Sequence, residues 1–289
     1  MTSAPTFFSR TKGLVVLAAA AGLALTGCSS SSTTPEAPEA PAAVIEAPAA
    51  LAASGTIKYC ATLDNPPRAS VDANGKQVGF EVDLGEEIAA LMGLKVTWLQ
   101  LTFDGLISTL QADQCDAIVQ ELFIKPERLE IIDMVPFSNS GQQIVLAAGS
   151  PLASPTLSLK DLSGVKVGVP NGTTVHNLAL EANEALKAEG KKEIDLVVLP
   201  TTTDTFLQLQ SGTIEAVGTT TTAAAYYSLQ SPGAFQVSGP VFGAIQTGIG
   251  VKKGNDEVFA AIEAAFNHIV ETGKYDELIA KWKLEGSEL

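Results

Sequence analysis

The chain has 289 residues and 46% hydrophobic content, enough for one large domain or two medium ones with a buried core. Eighteen Lys plus Arg against 32 Asp plus Glu leave a net charge of -14, which removes the attraction to phosphate on which nucleic-acid binding depends. Two histidines, His176 and His268, and three cysteines, Cys28, Cys60 and Cys115, show no CxxC, HxxxH or HxxE spacing, so no metal and no other cofactor is expected.

Arg10 and Lys12 precede the apolar run Leu14 to Leu25 and then Thr26-Gly27-Cys28, the pattern of an export signal over residues 1–27. The run would span about 18 Å as a helix, short of the roughly 30 Å hydrocarbon core, so a permanent membrane helix is the poorer reading. Leu25-Thr26-Gly27-Cys28 resembles the bacterial lipobox. That likeness implies cleavage before Cys28, lipid attachment to it, and an extracytoplasmic chain anchored to the membrane; the alternative is an ordinary secretory cleavage site. Residues 29–54 consist mainly of Ser, Thr, Pro, Glu and Ala and read, with Cys28, as a lipidated, disordered tether. The folded body is expected from Gly55.

From there short β-rich runs alternate with helical periodicity: Thr56 to Ala61, Leu84 to Met92, Lys95 to Leu99, Leu106 to Ala112 and Asp116 to Val119. A second series follows Pro155: Lys166 to Val169, Val175 to Ala188, Asp195 to Leu199, Thr203 to Gln210 and Glu215 to Gly218. The decapeptides Leu110 to Val119 and Leu209 to Gly218 line up, each ending a helix on Leu-Gln and opening a strand with an acidic residue and Ala. Helices over Asp256 to Thr272 and Tyr275 to Trp282 complete an α/β chain that does the same thing twice. Open α/β sheets place ligands at the carboxyl ends of their strands, so a cleft between two lobes is the expected binding place.

The motifs Gly75-Lys76-Gln77-Val78-Gly79-Phe80-Glu81-Val82-Asp83-Leu84, Phe103-Asp104-Gly105-Leu106-Ile107 and Cys115-Asp116-Ala117-Ile118 stand in that order. Lys125-Pro126-Glu127-Arg128, Leu162 to Val169, Gly172-Thr173-Thr174 and Gly273-Lys274-Tyr275-Asp276 follow. Together they resemble the bacterial solute-binding proteins, family 3, which deliver polar amino acids to ABC importers. The resemblance implies an α/β, two-lobed periplasmic-binding-protein type II fold. Lobe 1 would comprise 55–141 plus 247–289 and lobe 2 residues 142–246, with hinges near Gln142-Gln143-Ile144 and Gly243-Ala244-Ile245. It also implies a monomer that binds a small amino acid or derivative, closes over it, and is recognised by a membrane permease.

In that family an arginine holds the ligand's α-carboxylate, and Arg128 matches it, since a planar guanidinium can clasp a carboxylate through two parallel bonds; the alternative is an arginine that caps its turn or pairs on the surface with Glu127 or Glu130. Asn171, Gly172, Thr173 and Thr174 join a strand to a helix, where backbone N–H groups favour an anion; N-capping by Thr173 serves the same residues. Phe103 matches a side chain that packs on the ligand's aliphatic part, with core packing as its rival role. His176 follows the same loop.

The departures from the family are specific. Its aromatic residues around the proline loop are replaced by Asp64-Asn65-Pro66-Pro67-Arg68, and its small hydroxyl residues by Val119-Gln120-Glu121-Leu122-Phe123. The acid that receives the ligand's ammonium aligns with Thr220. Asn65, Arg68, Gln120, Glu121, Phe123 and Thr220 therefore join the expected ligand set, with Glu121 as the replacement anion and Arg68 as a second cation at the mouth. The competing arrangement pairs Arg68 with Glu121. Cys60 and Cys115 form an even pair in an oxidising compartment, which favours a disulfide. Level pairing of their strands instead puts them about three residues, roughly 10 Å, apart, and both readings stand. An exported lyase or dehydratase on the same fold, with Glu121 as its acid or base, and a ligand-sensing module are the rival functions.

Overall fold

The computed structural model describes residues 43–289. The expected signal segment, Cys28 and most of the tether lie outside the described residues. The first half runs α1 (Ala49–Ser54), β1 (Thr56–Ala61), a short antiparallel trio β2 (Asp64–Asn65), β3 (Ala69–Val71) and β4 (Gln77–Val78), then α2 (Phe80–Leu91), β5 (Lys95–Gln100), α3 (Leu106–Gln111) and β6 (Ala117–Ile118). After α4 (Pro126–Leu129), the long strand β7 (Ile132–Ala147) carries the chain into a second half. That half holds β8 (Lys166–Pro170), α5 (Thr174–Ala188), β9 (Asp195–Leu199), α6 (Thr202–Gln210), β10 (Ala216–Thr220) and α7 (Thr221–Gln230). Strand β11 (Phe235–Lys252) returns, and α8 (Asp256–Glu271) and α9 (Lys274–Trp282) pack against the first half.

All the long strands belong to one sheet of order β5-β1-β6-β11-β7-β10-β8-β9. Its flanks are parallel, β1 with β5 and β6, and β8 with β9 and β10, while β7 and β11 pair antiparallel at its centre. The repeated decapeptides occupy equivalent places, closing α3 before β6 and α6 before β10. Helix α8 shows how the sequence specifies such packing. Val258, Ala261, Ile262, Ala265, Phe266 and Ile269 form one buried stripe, and the Asn255 side chain accepts from Val258 N–H to cap its start.

Two separate cores result. Tyr59, Phe80, Ile88, Phe137, Ile262 and Phe266 belong to the first half. Ile144, Leu162, Val169 and Leu186, with Phe206 and Val217 beside them, belong to the second. Between them the middle of β7 is polar: Ser138, Asn139, Ser140, Gln142 and Gln143. The β7–β11 ladder breaks register there, between Ser238 and Phe242 and again between Phe242 and Ile245. Gly239 enters this break at φ 75°, with its α-carbon so close to the Leu157 carbonyl that no β-carbon fits.

One sequence expectation changes and one open alternative is decided. The tether does not run to Ser54: Val44 and Ile45 N–H groups both donate to Leu91 O, and Leu51 on α1 is buried in the first core. These few apolar side chains were diluted by the Ala, Pro and Glu around them. Cys60 and Cys115 form a disulfide with α-carbons 5.8 Å apart. Cys60 does stand opposite Ile118, as level pairing requires, but β6 begins only at Ala117. Asp113 turns at φ 56° between α3 and β6, and Asp116 N–H donates to Lys58 O, so Cys115 lies beside β1.

Candidate ligand-binding site

A cavity of about 40 Å³ lies between the two halves. The first half contributes Asn65, Phe103, Gln120, Glu121 and Phe123 from the expected ligand set, and the second contributes Thr173, Thr174 and Thr220. The carboxyl end of β1 supplies Thr62, and β6 delivers Gln120 and Glu121 just beyond its last residue. Facing them, β8 leads into the start of α5 and β10 into the start of α7, so both helices begin at the cavity. Thr173 caps α5 by accepting from His176 N–H, and its own hydroxyl donates to Pro170 O. Thr174 Oγ1, by contrast, is buried without a partner. Thr220 caps α7 through Ala223 N–H.

Four expected residues stand elsewhere. Arg68 is not at a mouth: it is wholly buried, with Nε 2.9 Å from Glu121 Oε1 and a second nitrogen 3.5 Å from Glu81 Oε1. Its guanidinium also donates to Ser138 Oγ at 2.9 Å and lies over the Phe80 ring, 5.8 Å from its centroid. The Pro66-Pro67 turn and the β2–β3 hairpin fold this side chain inward. Asn171 leaves the cavity to donate to Asp104 Oδ2 at 2.8 Å, a bond from one half to the other. Gly172 follows at φ 69°, where a β-carbon would stand 2.9 Å from Asp104 Cβ.

Arg128 lies behind the cavity wall. It is 8% exposed, donates to Phe123 O at 2.8 Å, and sits 5.5 Å from the centroid of the Phe103 ring. Both of those aromatic residues face the cavity. Among the described residues no carboxylate lies within ion-pairing distance of Arg128. Burial, opposed only by Glu127, pushes its pKa down to about 10.

Glu121 faces the cavity but is fully engaged. Oε1 meets Arg68 and accepts from Ser140 Oγ at 2.6 Å and Thr222 Oγ1 at 2.9 Å, while Oε2 accepts from Asn65 Nδ2 at 2.8 Å. The pairing of Arg68 with Glu121, one of the two arrangements open from sequence, is the one present. Glu81 shares the same guanidinium with neither carboxyl oxygen hydrogen-bonded. Burial, partly offset by Arg68, pushes its pKa up to about 8. Burial thus favours the protonated form of Glu81, and Arg68 has Glu121 as its nearer carboxylate.

Sequence reasoning missed Asp64 and Gln142, which also face the cavity. Asp64 Oδ2 accepts from Thr202 N–H at the start of α6, at 3.3 Å, and no Lys or Arg side chain pairs with it among the described residues. Burial raises its pKa, against the lowering effect of the Thr62 hydroxyl and Thr202 N–H. Gln142 stands on β7 opposite Thr220 and Phe242, 1% exposed, with both amide heteroatoms lacking a partner. The signals were present: Asp64 is the acid of a loop already singled out, and Gln142 belongs to the stretch read as a hinge. His176 takes no part; its Nδ1 accepts from Gly172 N–H, and burial lowers its pKa.

Two α/β halves joined through two long strands, with a cavity of mixed polar and apolar lining between them, define a bilobal solute-binding protein of the type II periplasmic-binding fold. The sequence pattern of the bacterial extracellular solute-binding proteins, family 3, matches residues 57–285, and the chain belongs to that family. It is 32% identical over 227 residues to the lysine/arginine/ornithine-binding periplasmic protein of Escherichia coli (strain K12), covering 75% of this chain and 83% of that protein. A solved structure of a mutant of ArgBP from T. maritima matches with a TM-score of 0.74 at 32% identity, over 82% of this chain and 98% of that one. An ancestral amino acid-binding protein, a precursor of cyclohexadienyl dehydratase, matches with a TM-score of 0.73 at 27% identity, over 81% of this chain and 97% of that one. Among the described residues no helix is long and apolar enough to cross a membrane, and no cluster of potential metal ligands is present.

Proposed function

We propose that this chain is the receptor of an ABC importer for an amino acid or a close derivative, which it captures between its halves, encloses and presents to a membrane permease. The observation that carries this reading is Arg128, a buried cation with no carboxylate partner directly behind the Phe103 and Phe123 wall of a cavity. Burying a charge costs several kcal/mol unless an opposite charge meets it, so an anionic ligand group completes the site. The ligand's carboxylate is held by Arg128, with the start of α5 and the free Thr174 hydroxyl as the second clamp.

Its ammonium goes to Asp64, the cavity carboxylate without a cation, rather than to Glu121. Phe103 and Phe123 pack on the aliphatic part, and Asn65, Gln120, Thr173 and Thr220 shape the walls. The cavity of about 40 Å³ holds a few water molecules, so an amino acid enters only with the halves further apart. The polar, register-broken middle of β7 and β11 is where they hinge, dividing lobe 1 (55–141 plus 247–289) from lobe 2 (142–246). Solute capture and handover fit an exported chain held to the membrane by lipid at Cys28 and acting as a monomer, without cofactor or covalent chemistry. Catalysis would need a free acid or base; Glu121 is engaged, and Asp64 serves the ligand's ammonium.

A thermal-shift screen of α-amino acids tests the reading, with Arg128→Ala beside the parent chain. A ligand at a hundredfold excess over its Kd stabilises by about 2.7 kcal/mol, or roughly 5 to 10 °C for a body of this size. The shift should vanish in Arg128→Ala. A shift retained there would overturn the reading.

A further inference from the structure

The charges on and just behind the cavity wall can be counted. Glu121 is matched by Arg68 inside the protein and by donors from Ser140, Thr222 and Asn65. Asp64 on the cavity wall and Arg128 directly behind it, against Phe123 and Phe103, are left, one unmatched charge of each sign. A bound zwitterion satisfies both. A third charge on the ligand, such as the side-chain cation of arginine or lysine, would be enclosed with nothing opposite it.

What remains for the ligand's side chain is uncharged. Gln142 is 1% exposed, lines the cavity, and has both its Nε2 donor and its Oε1 acceptor without a partner. Gln120 commits its amide oxygen to Thr62 N–H and Oγ1, which leaves its Nε2 as a further donor. Buried polar atoms without partners are rare in folded proteins, and an amide that lacks partners on both heteroatoms fits a ligand group that donates and accepts at once. Gln142 also belongs to the strand that passes between the halves, beside Thr220 and at the break in the β7–β11 ladder. Filling its hydrogen bonds therefore ties ligand identity to the segment about which the halves move.

We propose that the ligand is a zwitterion of net zero charge whose side chain carries an uncharged donor-and-acceptor group, of the carboxamide or ureido kind, read by Gln142. This rests on the amino-acid reading above and departs from the basic ligands for which the lysine/arginine/ornithine-binding relative is named. The internal pairing of Arg68 with Glu121 is what excludes those ligands, because it removes the one further carboxylate that faces the cavity from the ligand's reach.

The test is isothermal titration of the purified chain, unfolded and refolded to strip any carried ligand. The probes are L-glutamine, L-asparagine, L-citrulline, L-leucine, L-glutamate, L-arginine and L-lysine. At least one of glutamine, asparagine and citrulline should bind a hundredfold tighter than arginine, lysine, glutamate and leucine. Gln142→Leu should weaken that ligand at least tenfold, and Gln142→Glu should shift the preference toward arginine or lysine. Arginine or lysine binding tightest to the unaltered chain would overturn this inference while leaving the amino-acid reading intact. Leucine binding as tightly as the amides, or a Gln142→Leu protein with affinity within twofold of the parent, would also overturn it. Silence from all seven probes would overturn both. The preference of the unaltered chain decides the matter even if neither variant folds.

Discussion

Arg68 and Glu121 meet at 2.9 Å with both side chains shut off from solvent, and the pair ties the hairpin after β1 to the residues beyond β6. Through Ser140 and Thr222 the same carboxylate also reaches the middle of β7 and the first turn of α7 in the second half. It is a structural anion standing in a ligand cavity.

Removing one member of such a pair leaves the other buried and unpaired, which typically costs about 3–5 kcal/mol. Arg68→Met should therefore lower the melting temperature by about 10 °C. Glu121→Gln should do less, because Glu81 is at hand to ionise against Arg68. It should also change ligand affinity by less than about tenfold, since that carboxylate is not free to bind. Thermal melts and titrations of the two variants check the order.

Glu81 makes stability depend on pH. Its folded pKa of about 8 lies above its ordinary value, so the folded state holds a proton that the unfolded state has released. That contribution is fully present below about pH 4.5 and is lost as pH rises toward 8. The melting temperature should fall over this interval more steeply in the parent chain than in Glu81→Gln, measured at pH 5, 6.5 and 8. Parallel curves would show that Glu81 is not the source.

Cys60 and Cys115 close a loop with a sequence separation of 55. Loss of the bond by paired replacement with Ala should cost about 2–4 kcal/mol, or roughly 5 to 15 °C. The ligand should still bind once the protein is folded, because neither sulfur faces the cavity. A melting curve and a titration separate the two effects.

The Asn171–Asp104 bond and Gly172 form the lip where the halves meet. Asp104→Ala removes one hydrogen bond, worth about 1 kcal/mol, and should weaken ligand roughly fivefold. Gly172→Ala adds a methyl where no space exists and strains a positive φ, so it should weaken ligand more and leave a larger radius of gyration with ligand present. Small-angle scattering and titration test both.

Much of the fold was legible because hydrophobic periodicity records local structure. Thr56–Ala61 and Asp195–Leu199 agree with the sequence to the residue, and most other anticipated segments fall within a residue or two of their ends. Helix α2 starts four residues early, at Phe80 rather than Leu84, because Gly79 rather than a polar cap opens it. Helix α7 went unseen, since Thr221-Thr222-Ala223-Ala224-Ala225 carries almost no periodic contrast. The site was less legible. Sequence gathers residue types but not their prior commitments, and Glu121 looked available until Arg68, Ser140, Thr222 and Asn65 were seen around it. Arg128 faces the reverse problem, because its lack of a partner is a property of three-dimensional surroundings.

On the proposed reading, a ligand carboxylate completes Arg128. Isothermal titration should therefore compare the tightest-binding amino acid with its α-amide, in which the carboxylate alone is neutralised. Pairing of the ligand carboxylate with Arg128 predicts that the α-amide binds at least a hundredfold more weakly to the parent chain and that Arg128→Ala narrows the gap to a few-fold. Equal binding of acid and amide by the parent chain would contradict it.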